Sequence, residues 1–230
     1  VGAWLVLRWR RGVPRHGVPT PELLGIASRV SGYNAVNYFS RNMDNVLIGS
    51  FLGATALGFY SKAYGLMMLP VAQIRTPLMG VGLPGLSKLQ DEPSRYARYY
   101  LQMVSLLAFV AAPVTIFLGA YAFELIELLL GPGWSSAARV FGILAPAGAI
   151  QAVVGTSGLV MLSTGQGKRY FRLGAAMAVL TVAAFAAGIQ FGINGVAAFY
   201  TALNVATVYP LLSYSFKHTP IGIGAFFRSV

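Results

Sequence analysis

Four cations and one carboxylate stand inside the most apolar runs of this sequence. Arg29, Tyr33, Asn37 and Arg41 follow one another at intervals of four, and Asp44 comes three further on, within "YFSRNMDNVLIG" at residues 38–49. On a helix these five residues form a single polar stripe. Lys62, Gln73, Arg75 and Thr76 follow in the next apolar run. Arginine forks grip phosphate oxygens in pairs, and a low local dielectric strengthens that contact. Amides and a phenol beside them suit sugar hydroxyls, so the set fits a phosphate or diphosphate attached to sugar. The bland alternative is internal pairing, with Arg41 and Asp44 satisfying each other and Lys62 or Arg29 reaching an interface. Four cations against one carboxylate leave a surplus of three, which favours an anionic ligand.

Other pairings carry less. Glu124 and Glu127 are one turn apart in "YAFELIELLLGPGW" and read as a short interfacial helix with its acids in water. Asp91 and Glu92 read as a solvated turn before a helix. "GVGLPG" at residues 80–85 matches G-x-G-x-x-G but ends an apolar span rather than joining a strand to a helix, so it is no dinucleotide loop. "GQGKRY" lacks the first glycine and the final hydroxyl of a P-loop and reads as a charged turn. Gly49 with Gly53, and Gly188 with Gly192, have the spacing of close helix contacts, or are simply the glycines such helices contain. No Ser/His/Asp or Cys/His set exists: cysteine is absent, and the two histidines lie in basic connecting segments. Nucleophilic catalysis has no visible apparatus, so the chain reads as no enzyme.

What must position the polar residues is a set of membrane-crossing helices. Of 230 residues 56% are hydrophobic and only 10% charged, against the ~45 to 50% apolar content usual in soluble domains. After a stub and a basic connector at residues 1–22, a six-helix transmembrane bundle is expected over 23–216, followed by a cytoplasmic connector at 217–230. The expected spans are 23–52, 56–86, 99–121, 139–163, 170–191 and 196–216, each near or beyond the roughly 20 residues a crossing needs. The first two exceed a ~30 Å hydrocarbon core and must tilt, bend or protrude. Pro70, Pro77 and Pro84 recur every seven residues in the second, which places three potential kinks on one face. The opening "VGAWLVLRWRR" reads as the tail of an earlier helix, so the chain is expected to be an internal piece of a longer protein.

The net charge of +11 would suggest nucleic acid in a soluble protein. Here most cations fall between apolar segments, where they read as topology and contact with anionic membrane lipids, with no nucleic-acid partner. Twelve Lys and Arg fall in alternate connections and one, Arg139, in the others. The basic connections are therefore expected to face the cytoplasm. Tyr96, Tyr99, Tyr100, Trp134, Tyr170 and Tyr214 fall near span ends, as an aromatic belt would.

The stretch "NYFSRNMDNVLIGSFLGATALGFYSKAYGLMMLPV" at residues 37–71 resembles the polysaccharide transporter family, the Wzx-like and teichuronic-acid-exporter proteins, of the multidrug/oligosaccharidyl-lipid/polysaccharide flippase superfamily. "LPGLSKLQDEPSRY" and "LLLGPGW" look like the same family's next landmarks. The resemblance implies an all-α, two-lobed, multi-pass protein of the bacterial inner membrane that flips undecaprenyl-diphosphate-linked oligosaccharide for O-antigen, lipopolysaccharide or exopolysaccharide export. This chain would be one lobe, partnered by a missing N-terminal lobe of the same protein. Arg29, Arg41, Lys62 and Arg75 would line the cavity between lobes and hold the diphosphate and acidic sugars. Tyr33, Asn37 and Gln73 would bind sugar hydroxyls, and Asp44 would either orient Arg41 or take part in ion coupling. No cofactor is implied beyond a proton or sodium gradient. The rivals are a drug/cation antiporter of the same superfamily, which should carry an acidic cavity, and a membrane polysaccharide polymerase or ligase, which needs a larger outer loop.

Overall fold

A computed structural model describes residues 42–230, and they form one compact, wholly helical unit. The first expected span is therefore represented only by its last turns. Arg29, Tyr33, Asn37 and Arg41 lie outside the described residues, as do the stub and connector at 1–22.

The elements are α1 (Met43–Lys88), α2 (Pro93–Ala120), α3 (Ala122–Leu130), α4 (Ser135–Val154), α5 (Ser157–Ser163), α6 (Gly167–Gly188), α7 (Gly192–Phe216) and α8 (Ile223–Ser229). Four helical stretches are long and apolar enough to cross a membrane: Met43–Lys88, Pro93–Ala120, Pro132–Ser163 and Gly167–Phe216. Two of the four double back at glycines. In α1, Gly53 takes φ 85° and ψ 172°, a conformation open in practice only to glycine, and the chain reverses there. Ile48 consequently packs in one cluster with Tyr60 across the reversal. Gly192, with φ 70°, begins α7 after the 3₁₀ turn Ile189–Phe191, and α6 and α7 run back to back. Five of the six expected crossings are thus present in the described residues, with the connections expected at "LGAT" and "GIN" found as reversals.

The crossings are a little longer than expected at most ends, and two further differences have physical causes. The fourth crossing is broken into α4 and α5 around Gly155 and Thr156. The expected connector after residue 216 folds into α8, because Phe226 is apolar enough to be buried against Tyr100 and Phe216. The three prolines of α1 leave its backbone helical, with Gly53 the one departure.

α4 is the central helix and packs against α1, α2, α3 and α7. Its alanines and glycines permit that crowding: a Cβ added at Gly148 would sit 2.7 Å from Met67 Sδ. Side chains form two layers. One joins Ile48, Tyr60, Ile126, Phe141 and Val196 near the Gly53 and Gly192 reversals. The other joins Leu86, Tyr100, Leu159, Leu212 and Phe226 at the opposite end. Lys88, Arg95, Lys168, Arg169, Lys217 and Arg228 all belong to connections or helix ends beside the second layer. The structure therefore gathers the basic connections at one end, which the positive-inside bias assigns to the cytoplasm. Glu124 and Glu127 are exposed on the short α3 at the other end, and Glu92 pairs with Arg95 at 2.7 Å in the cytoplasmic turn.

Candidate functional site

The arm of α1 after Gly53 runs some 50 Å at ~1.5 Å per residue, long enough to cross the bilayer and protrude. Its inward side is apolar, with Tyr60, Ala63, Met67, Val71 and Leu86 all buried. Its outward side is not the uniform apolar surface that lipid would favour: Lys62, Gln73 and Thr76 are exposed there, among Gly65, Ala72, Pro77, Gly80 and Pro84. Pro77 and Pro84 have no N–H to offer the carbonyls of Gln73 and Gly80 four residues before them. The same side thus presents a lysine, an amide, a hydroxyl and two backbone carbonyls without a proline partner. In hydrocarbon such groups persist where protein or water meets them.

Arg75 departs from that company. It lies on the opposite side of the helix, half-buried, pointing into the lobe at the break between α4 and α5. A Cβ placed on Gly155 would be in ordinary contact with its Cζ at 3.5 Å and Nη1 at 3.6 Å, so the guanidinium lies against Gly155. The break is otherwise held by hydroxyls. Thr156 Oγ1 donates to the Val153 carbonyl at 2.7 Å and lies 3.1 Å from Tyr100 Oη. Tyr96 Oη lies 2.7 Å from Ser163 Oγ. Among the described residues no carboxylate pairs with Arg75 or with Lys62.

Asp44 is 4% exposed at the layer near the Gly53 reversal. Its Oδ1 accepts the Asn45 N–H at 2.8 Å, and no cation pairs with it among the described residues. The Tyr60 hydroxyl lies within electrostatic reach of Asp44, Tyr64 and Tyr200 and is buried without a hydrogen-bond partner. Tyr60 and Tyr64 stack at 6.0 Å, and Tyr64 Oη meets Tyr200 Oη at 3.3 Å. Gln151 Nε2 donates to Tyr200 Oη at 2.7 Å. No sequence pattern connects the members of this tyrosine and glutamine ladder inside the membrane. Its one local signal is the four-residue spacing of Tyr60 and Tyr64, since Gln151 and Tyr200 come from other helices.

The structure thus places Lys62 and Gln73 on one outward side, Arg75 at the α4–α5 break, and Asp44 near the ladder. The glycines of "GVGLPG" serve packing: a Cβ at Gly85 would lie 2.6 Å from Tyr99 Oη, and one at Gly82 2.8 Å from Met103 Sδ. Gly188 approaches the backbone of Gly195, so that a Cβ there would meet the Gly195 carbonyl at 2.8 Å.

Residues 1–139 match a family model described as "Polysaccharide biosynthesis protein". The chain is similar to the teichuronic acid biosynthesis protein TuaB of Bacillus subtilis, 29% identical over 85% of this chain and 41% of that protein. It is also similar to the lipopolysaccharide biosynthesis protein WzxC of Escherichia coli, 23% identical over 84% of this chain and 39% of that protein. The succinoglycan biosynthesis transport protein ExoT of Rhizobium meliloti is 26% identical over 68% of this chain and 32% of its own length. The chain spans about two fifths of the length of the first two relatives. No solved structure matches it. With a family model covering more than half of a multi-pass helical chain, this protein belongs to the polysaccharide biosynthesis protein family of Wzx-like polysaccharide transporters.

Proposed function

We propose that the complete protein flips a polyprenyl-diphosphate-linked glycan from the cytoplasmic to the outer leaflet of the bacterial inner membrane, by alternating access between two lobes of which this chain forms one. The observation that carries this reading is the outward side of α1, where Lys62, Gln73 and Thr76 stand exposed on a membrane-crossing helix. A second lobe facing that side would enclose a polar, cationic cavity suited to phosphate and sugar. The names of TuaB, WzxC and ExoT place all three in polysaccharide biosynthesis or its transport. Arg29, Tyr33, Asn37 and Arg41 are assigned to the same cavity on their stripe alone, whereas Arg75, which points into the lobe, is assigned to holding the α4–α5 break rather than to the cavity. Asp44 is assigned either to orienting Arg41 or to coupling with a proton or sodium gradient. The protein acts as a transporter and not as an enzyme.

The test uses the complete gene product at native expression, with Lys62→Leu and Gln73→Leu combined. The expected result is accumulation of lipid-linked glycan on the cytoplasmic leaflet and loss of surface polymer, at an unchanged level of protein in the membrane. Normal surface polymer in that double variant would sink the cavity assignment.

A further inference from the structure

The cytoplasmic end of the α6–α7 hairpin has a feature that transport does not use. A cavity of about 410 Å³ opens between the two helices, lined by Arg172, Ala176, Met177, Leu180, Pro210 and Tyr214 among others. Its origin is local. Ala176 on α6 and Pro210 on α7 both line it, so each helix presents a small or compact side chain where a larger one would fill the gap. The lining is almost entirely apolar until Arg172, which stands one helical turn and a half inside α6 at the basic end.

The charges at that mouth are unbalanced. After Glu127 the sequence contains no Asp or Glu through residue 230. Lys168 and Arg172 stand four apart on α6, so they share a face, and like charges at that spacing repel unless an anion bridges them. Arg169 is already engaged: Nη1 donates to the Lys217 carbonyl at 2.9 Å and Nη2 to the Tyr214 carbonyl at 2.6 Å, which ties down the end of α7. Its Cζ also sits 4.6 Å from the centre of the Tyr214 ring. Arg172 and Lys168 have no ion pair among the described residues and are exposed.

We infer that this groove is a binding site for an anionic phospholipid of the cytoplasmic leaflet, with one acyl chain between α6 and α7 and its phosphate bridging Lys168 and Arg172. Charge complementarity selects the headgroup: two free cations, no acid, and a position where anionic lipids concentrate. The groove selects the chain, because from Arg172 to Leu180 it descends about 12 Å along α6 into the leaflet. The bound lipid would wedge the hairpin apart at Ala176 and Pro210 and fix the angle between α6 and α7. The assignment depends on the membrane orientation and not on the transported substrate.

The test is native mass spectrometry of the complete protein, stripped of lipid in mild detergent and titrated with phosphatidylglycerol, phosphatidylcholine or undecaprenyl phosphate. Wild type is expected to retain phosphatidylglycerol in clear preference. Lys168→Gln with Arg172→Gln should lower that preference roughly tenfold or more, and Ala176→Phe, which fills the groove, should remove retention of either lipid at this site. Arg95→Gln with Arg98→Gln removes the same charge from another cytoplasmic turn and should leave retention intact. Equal losses in that control would overturn the site in favour of diffuse attraction. Preference for undecaprenyl phosphate over phosphatidylglycerol, abolished by Ala176→Phe, would overturn it in favour of the transport carrier.

Discussion

If the outward side of α1 faces a cavity, cysteines placed there at the middle of the membrane must meet water. The chain has no cysteine of its own, so single cysteines at Gln73 and Thr76 report without background from this lobe. Gln73 lies about 30 Å along the helix from Gly53 and more than 20 Å from Lys88 at ~1.5 Å per residue. With this arm of some 50 Å centred on a ~30 Å hydrocarbon core, Gln73 falls within about 5 Å of the middle. Lys62, close to the outer end, would be wet in either case and decides nothing. Phe109 on α2 and Val179 on α6, 77% and 70% exposed near the middle of their helices, are the controls on lipid-facing sides. The thiolate is the reactive species, and a thiol surrounded by hydrocarbon stays protonated, which cuts its thiolate fraction by roughly a thousandfold against a wet site. In membranes holding the complete protein, a charged methanethiosulfonate should modify Gln73→Cys and Thr76→Cys at least about a hundredfold faster than Phe109→Cys and Val179→Cys. Rates as slow as the two controls would show that this side of α1 faces lipid, and the cavity argument would fail.

The ladder makes a stability prediction. Tyr200→Phe removes the hydroxyl that accepts from Gln151, at a cost of about 0.6 to 1.7 kcal/mol for such bonds inside a membrane. Gln151→Leu made together with it should recover part of that loss in a thermal unfolding cycle, whereas strict additivity would remove the coupling. Gly53→Ala forces a side chain onto φ 85° and ψ 172° and should destabilise by about 1 to 3 kcal/mol, seen as a lower thermal midpoint in detergent; an unchanged midpoint would refute the strain. At the helix break, Arg75→Lys should preserve folding and Arg75→Glu should not, because a carboxylate at this part-buried position beside Gly155 would have no cation near it among the described residues. Equal yields of folded protein from the two would refute that account.

Reading the crossings from sequence worked where one physical quantity dominates. Hydropathy and length located all five crossings in the described residues, and the distribution of Lys and Arg separated the two ends that the packing also separates. The break between α4 and α5 escaped because "VVGTSG" is apolar and small enough to continue a helix. What makes it a break is tertiary, with Arg75 and Tyr100 arriving from α1 and α2. The ladder escaped for the same reason: Tyr64, Gln151 and Tyr200 are 87 and 49 residues apart in sequence and meet only in the bundle. The docking of α8 rests on Phe226, whose partners Tyr100 and Phe216 no local pattern connects to it.

The separation of Arg75 from Lys62 and Gln73 changes the charge argument itself. Counting side chains leaves a surplus of cations in the spans, and that surplus was the reason to expect an anionic ligand. Gly155 and Thr156 keep right-handed helical backbone angles, so the end of α4 adjoins the start of α5 and their opposite partial charges largely offset. Arg75 points into the lobe beside Gly155, so an anion on the outward side of α1 would not neutralise it. Lys62, on the outward side close to the outer end, has no carboxylate beside it among the described residues, and its long stem can carry the ammonium to water. What the outward side of α1 asks of a partner is therefore mainly hydrogen bonds, for Gln73, Thr76 and the carbonyls freed by Pro77 and Pro84, rather than an anion for every cation in the spans.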